Sequence, residues 1–213
     1  MSISITIKQR DLLAVSYAMA VKDSRHYLNS VCIETNGRET RIVATDGRRI
    51  HVVHQDTGGL AEYAPVEYIL PSIFVKNTLK AKPLARYGDP LIEFTFDGER
   101  VSALLPDGTE AIAKLIDGKF PDWRRVSVID PSVPQEAASY NYDYLIDLYK
   151  GVKAYTGAKD PYGVPFVQRG NNGGYLQVGA FFGLVMPRRG NDVQALDNTY
   201  RSALRKPDIL EVV

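Results

Sequence analysis

Apolar residues change their period along this chain in an order that recurs. Ile3, Ile5 and Ile7 alternate with polar neighbours across residues 2–8, the period of two that a half-buried strand requires. The period then lengthens: Leu12, Leu13, Val15 and Met19 recur at helical spacing and predict a helix over 9–21. Three β runs follow at 28–35, 40–45 and 49–54. They are separated by Asn36-Gly37 and Asp46-Gly47, dipeptides that accept the positive φ of tight hairpin turns. The first unit is thus a strand, a helix and an antiparallel meander.

The same order repeats. An extended run at 66–70 reaches Pro71-Ser72, a helix start before Ile73, Val75 and Leu79, and strands at 91–96, 100–105 and 110–116 surround Asp97-Gly98 and Asp107-Gly108. A third unit has a helix over 141–154 with Leu145, Leu148 and Val152 on one side, then β runs at 166–169, 175–178 and 181–186. Pro131 and Pro134 mark a linker at 129–137, so the reading gives a two-unit domain over 1–128 and a third unit over 138–190. Beyond it, Val193, Leu196, Tyr200 and Leu204 predict a helical tail within 191–213. Three β-α-β-β-β units with helices on one face of antiparallel sheets place the chain in the α+β class.

Composition narrows what such a chain can do. With 213 residues and 45% hydrophobic content it can bury a sizeable core without staples. The single cysteine, Cys32, lies in a β run and reads as a small core residue. Three histidines, His26, His51 and His54, come with no paired cysteine and no phosphate loop, so no metal, cofactor or catalytic set is expected. The first residues lack the apolar core of a signal peptide and no apolar run reaches bilayer length, which sets the expectation of a soluble cytoplasmic protein. A net charge of +1 excludes nucleic-acid binding by overall charge; any such contact must come from a local face.

Three segments carry a resemblance. SRHYLNSVCIETNGRETRIVATDGRRIHVV (24–53) and AKLIDGKFPDWRRVSV (113–128) resemble the middle domain of the bacterial DNA polymerase sliding clamp, in the same order and at about the same separation. FFGLVMPRRG (181–190) is similar to the end of the clamp's last domain. The resemblance covers most of residues 1–189 and implies a clamp fold of one whole domain plus half of another, with no counterpart of the first clamp domain.

What the family does then sets expectations for particular residues. A hydrophobic pocket for short partner peptides would have Leu28, Thr45, Gly47, Arg48, Arg49 and Ile50 on one wall. Pro121, Arg125 and Val126 would form a connecting edge, with Leu184, Val185, Met186, Pro187, Arg188 and Arg189 opposite. Sequence-independent contact with double-stranded DNA would come from the helices, through Arg10, Lys22 and Arg25, then Lys76, Lys80 and Lys82, then Lys150 and Lys153, with Lys22 at a DNA-facing position of the family. The implied protein is not an enzyme. It is a replication processivity or tethering factor that holds a polymerase or repair partner, shortened in the manner of a phage or mobile element. The alternative is a regulatory protein that presents a clamp-like pocket without encircling DNA. A half-domain with an open sheet edge further implies that the third unit pairs with the tail or with a second copy, making a homo-oligomer.

Overall fold

The computed structural model describes residues 2–56, 63–82, 89–127, 132 and 138–188. The predicted linker, apart from Ser132, and the predicted tail helix lie outside the described residues. Strand β1 (Ile3–Lys8) leads into helix α1 (Gln9–Ser16), and strands β2 (Ser30–Thr35), β3 (Glu39–Thr45) and β4 (Arg49–Asp56) form the first meander. Strand β5 (Val66–Pro71), helix α2 (Ser72–Thr78) and strands β6 (Leu91–Asp97), β7 (Arg100–Leu104) and β8 (Glu110–Lys114) repeat that order. A short helix α3 (Arg124–Ser127) precedes helix α4 (Tyr142–Thr156) and strands β9 (Val167–Gln168), β10 (Gly174–Val178) and β11 (Phe181–Val185).

The two leading units exchange their first strands. β1 joins the second meander to give a four-stranded sheet in the order β1-β6-β7-β8, while β5 pairs with β2 of the first meander. Each unit therefore completes the other's sheet, and neither four-stranded layer exists without both. Alternation along β1 buries Ile5 and Ile7 against Phe94 and Phe96 of β6, as the period-two pattern requires. The hairpins are fixed locally. Asn36 Oδ1 accepts the N–H groups of Arg38 and Glu39 at 3.1 and 2.7 Å, and Asp46 Oδ1 accepts those of Arg48 and Arg49 at 2.8 and 3.1 Å.

The third unit does not wait for a tail or a second chain to pair its edge. β11 hydrogen-bonds to β4 over five residue pairs, Phe181↔Val53 to Val185↔Arg49. The result is a seven-stranded sheet in the order β5-β2-β3-β4-β11-β10-β9. The expectation that this edge needs an external partner is corrected by that pairing: β4 offers an eight-residue strand beside β11, and edge-to-edge pairing satisfies backbone groups that would otherwise face water.

Some boundaries move. The helix predicted over 9–21 ends at Ser16; Ala18, Met19 and Ala20 stay buried in turns, and Ala20 N–H donates to the Leu28 carbonyl at 3.0 Å. Apolar spacing alone does not separate a last helical turn from such a wrapped one. The third helix is displaced toward its C-terminus relative to the prediction: Asn141 stands outside it as the cap, its Oδ1 accepting the Asp143 N–H at 3.0 Å, and the helix continues to Thr156, after which Gly157 takes the left-handed conformation at φ +67°.

Helices α1 and α4 pack together on one face of the large sheet, around His51 and Phe181. His51 Nδ1–H donates to the Ala14 carbonyl at 2.9 Å, and burial pushes its pKa down to about 4. A glycine makes this approach possible. A Cβ at Gly151 of α4 would stand 2.9 Å from the Phe181 ring and 3.0 Å from the His51 ring. Helix preference favours alanine over glycine by roughly 1 kcal/mol, but crowding two enclosed rings costs about 1–3 kcal/mol. Gly151→Ala is therefore expected to lower the unfolding free energy in a urea titration, the opposite sign to helix preference; an increase would show that α4 sits farther from β4 and β11.

Candidate functional site

The face of the large sheet turned away from α1 and α4 carries a second apolar cluster, in which Cys32, Val43, Ile50, Val52 and Ile69 pack under Phe120. Beside it lies a cavity of about 330 Å³ where the three separated segments meet. Its floor is a cross-strand row: Thr45 of β3 stands opposite Ile50 of β4, which stands opposite Leu184 of β11. Leu28, only 1% exposed, closes the floor from the turn at His26–Leu28 together with Tyr27. Pro121, Asp122, Trp123 and Val126 form one wall, and Arg25, Gly47, Arg48, Arg49 and Met186 complete the lining.

Each wall is held by polar contacts behind it. Thr45 Oγ1–H donates to the Arg49 carbonyl at 2.7 Å while accepting the Gly47 N–H at 3.0 Å, and Gly47 takes φ +87°, so the turn is closed by its own side chains. That positive φ is what calls for glycine here; the Arg25 guanidinium beside it would meet a Cβ only at ordinary contact, 3.6 Å. Arg49 is buried and bridges the units: its Nε is 3.0 Å from Asp46, its Nη1 is 2.5 Å from Asp147 of α4, and its guanidinium lies 4.6 Å from the centre of the Tyr144 ring. Burial opposes the charge on Asp147, but bonds from Lys150 and Arg49 outweigh it and hold the carboxyl below the usual carboxylate range. The Arg48 guanidinium, bonded to the Tyr144 hydroxyl, is shifted up.

On the opposite wall Trp123 Nε1–H donates to Glu34 Oε1 at 2.9 Å, and Arg124 stacks on the same indole at 4.4 Å while bonding both Glu34 oxygens at 3.1 and 2.5 Å. Glu34, 7% exposed, thus anchors the tryptophan from β2. The Met186 N–H donates to the Arg48 carbonyl at 2.7 Å, which carries the β4–β11 ladder one step past the strand and places the methionine at the rim.

Of the residues assigned to the pocket from sequence, Leu28, Thr45, Gly47, Arg48, Arg49, Ile50, Pro121, Val126, Leu184 and Met186 line this cavity. Val185 does not. Alternate residues of a strand face opposite sides, so with Leu184 in the cavity Val185 is fully buried in the core on the helix side. Pro187 is buried outside the lining, Arg125 and Arg188 are exposed outside it, and Arg189 lies outside the described residues. Sequence reading missed Tyr27, Asp122 and Trp123, although Trp123 follows Pro121 by two positions in a segment already singled out, and it assigned Arg25, which also lines the cavity, to DNA contact.

The cationic residues fall into two groups. Arg25 turns to the cavity and is tied to Asp23 at 2.9 Å, a bond that lowers the Asp23 pKa to about 2. Arg10 pairs with Asp89 at 3.1 Å and Lys150 with Asp147 at 2.8 Å. Lys22, Lys76, Lys80, Lys82 and Lys153 are exposed; only Lys76 of the second set lies within α2. Lys22 sits in the connection after α1 with φ +58°, the one described non-glycine residue in that region.

With this geometry in hand, comparison with known proteins gives one family. The model described as "DNA polymerase III beta subunit, central domain" matches residues 6–122, more than half of the chain, and the chain belongs to the DNA polymerase III beta subunit family. The beta sliding clamp of Escherichia coli (strain K12) is 33% identical over 133 residues, which are 61% of this chain and 34% of that protein. The beta sliding clamp of Pseudomonas aeruginosa is 34% identical over 111 residues, 52% of this chain and 29% of that one. The chain spans about a third of the length of these curated relatives. The solved sliding clamp of Pseudomonas aeruginosa matches with a TM-score of 0.67 at 20% identity, over 88% of this chain and 67% of that one. The DNA polymerase III subunit beta of Borrelia burgdorferi matches with 0.68 at 14% identity, over 89% and 63%. These likenesses show the α+β clamp fold, and they extend over more of the chain than the family model does.

Trp123 is the only tryptophan of the chain, so its fluorescence reports this wall alone. Glu34→Ala removes its hydrogen-bond acceptor and the anchor of Arg124. The variant is expected to shift the emission to longer wavelength while far-ultraviolet dichroism stays unchanged; an unshifted spectrum would show that Glu34 does not hold the wall.

Proposed function

We propose that this member of the DNA polymerase III beta subunit family is a clamp-like tether for DNA replication, holding partner proteins by a short peptide in the cavity between β4, β11 and the 121–126 wall. The observation that carries the reading is the convergence of three stretches, 45–50, 121–126 and 184–186, on one cavity. Its size is at the low end of ligand sites, which suits a few side chains of an extended peptide and not a folded domain. Ile50, Leu184 and Met186 offer an apolar floor and an adaptable thioether rim for aliphatic and aromatic anchors. Arg25 and Arg48 at the edge supply charge-assisted donors for the peptide's carbonyls or acidic groups. The polymerases or repair proteins that bear such peptides are the partners this reading assigns, and binding them requires no chemistry.

The same reading assigns the helix side to double-stranded DNA, contacted through phosphates without sequence preference. Lys22, Lys76, Lys80, Lys82 and Lys153 are the exposed candidates there. A second reading has one specific observation behind it: Arg10 of α1 and Lys150 of α4 are already paired with carboxylates, which weakens the positive field of those helices. On that reading the protein captures peptide-bearing partners without encircling DNA. Retention on circular but not linear DNA favours the tether, and peptide binding with no DNA retention favours the capture protein.

Leu28 is a poor probe because a charge at so enclosed a position breaks packing as well as binding. Met186→Glu and Val126→Glu alter the rim instead. Each is expected to weaken a clamp-binding peptide at least tenfold in calorimetry, about 1.4 kcal/mol; unchanged affinity would remove the cavity from consideration. Reversing Lys22, Lys76 and Lys80 to glutamate is expected to weaken DNA association and flatten the dependence of log K on log salt by up to about 0.9 per lysine. Undiminished DNA binding would place the contact elsewhere.

A further inference from the structure

The four-stranded sheet ends in β8, and among the described residues no strand pairs with its outer side. The register shows which backbone groups that leaves open. Leu115 N–H donates to the Glu99 carbonyl and Leu105 N–H to the Thr109 carbonyl, at 2.8 Å each. With Arg100 opposite Lys114 and Leu104 opposite Glu110, bonded pairs between β7 and its neighbour therefore fall at 99/115, 101/113, 103/111 and 105/109. Hence the N–H and C=O groups of Glu110, Ile112 and Lys114 point outward. The side chains of these three residues are exposed, Ile112 to 68%, while Ala111 and Ala113 between them are half-buried.

We infer that β8 pairs with β8 of a second copy, antiparallel and centred on Ile112. A two-fold axis at that residue sets Ile112 against Ile112, Glu110 against the partner's Lys114, and Lys114 against the partner's Glu110. The three outward residues are the ones whose backbone groups are open, so the ladder gains about six hydrogen bonds without a bulge. Charge normally protects a sheet edge because identical copies repel. Here opposite charges stand at symmetric distances from the axis, so the second copy meets attraction at both ends. Lys114 also has Arg100 beside it on β7; Glu99 at 2.9 Å from Lys114 and Asp97 opposite Arg100 on β6 offset that cationic pair, and the partner's Glu110 adds a further anion. Ala111 and Ala113 turn to the inner side and pack against the core, so the outward residues alone face the second copy. The other sheet edges are shorter or already engaged: β9 has two residues, the Ile69 carbonyl on the outer side of β5 accepts the Ile116 N–H, and the Thr6 carbonyl on the outer side of β1 accepts the Gln55 side-chain amide. This inference stands apart from the peptide site, which lies on the larger sheet.

A five-residue ladder is a small interface, so the association is expected to be weak and concentration-dependent. Sedimentation equilibrium of the full chain from about 1 to about 500 µM is expected to show conversion from 23.7 kDa toward twice that mass. Ile112→Pro removes an N–H that the fold does not use and should abolish the dimer. Lys114→Glu alone should weaken it at least about tenfold by setting a carboxylate against the partner's Glu110 at each end, and Glu110→Lys combined with Lys114→Glu should restore it to within about threefold, because the swap keeps each pair across the axis opposite in sign. A chain monomeric over the whole range overturns the inference. So does a dimer that ignores both Ile112→Pro and the single reversal, or one that the double swap fails to restore.

Discussion

The ladder between β4 and β11 is the constraint on which the rest of this molecule depends. It joins residues about 130 positions apart in the chain, a separation whose loop-closure cost grows only slowly with length. Without it the third unit would be a helix and three short strands with β11 as an open edge. With it, Ile50 and Leu184 come side by side on one face, and His51 and Phe181 on the other. The cavity and the α1–α4 packing are two faces of a single pairing.

The two faces then serve different chemistry. On the helix side, close packing around Gly151 and Gly183 draws α4 down onto the sheet; a Cβ at Gly183 would stand 2.1 Å from a methyl of Leu148. On the other side, the segment after β8 crosses the sheet through the Ile116 N–H bond to the Ile69 carbonyl and brings Phe120 and Trp123 over it. Arg49 ties the faces together, reaching from the turn beside the cavity to Asp147 on α4. Because its charge is buried and doubly paired, it reads as a positioning group and not as a ligand-binding cation.

Much of this could be read from the residues. Period-two and helical spacing located the strands and helices, and the Asn-Gly and Asp-Gly dipeptides located hairpins whose side-chain bonds are those such turns favour. Ten of the residues assigned to the pocket line it. What could not be read is relational. The end of α1 is set by Ala20 reaching the Leu28 carbonyl, a contact between segments and not a local preference. The exclusion of Val185 follows from which face β11 turns to β4, and the role of Trp123 follows from Glu34, 89 positions away. Strand exchange between the first two units was equally silent, since β1 and β5 fit either meander by pattern.

The pairing itself is open to a residue-resolved test by amide hydrogen exchange in NMR. Bonds from His54 N–H to the Ala180 carbonyl and from Met186 N–H to the Arg48 carbonyl fix the alternation, so the amides of Phe182, Leu184 and Met186 point to β4, while those of Phe181 and Val185 point to β10. Slow exchange at both sets, with Phe182 and Leu184 as protected as the centre of β3, is the expected result. Fast exchange confined to Phe182, Leu184 and Met186 would mean that β11 is an open edge, and the joined sheet would be wrong.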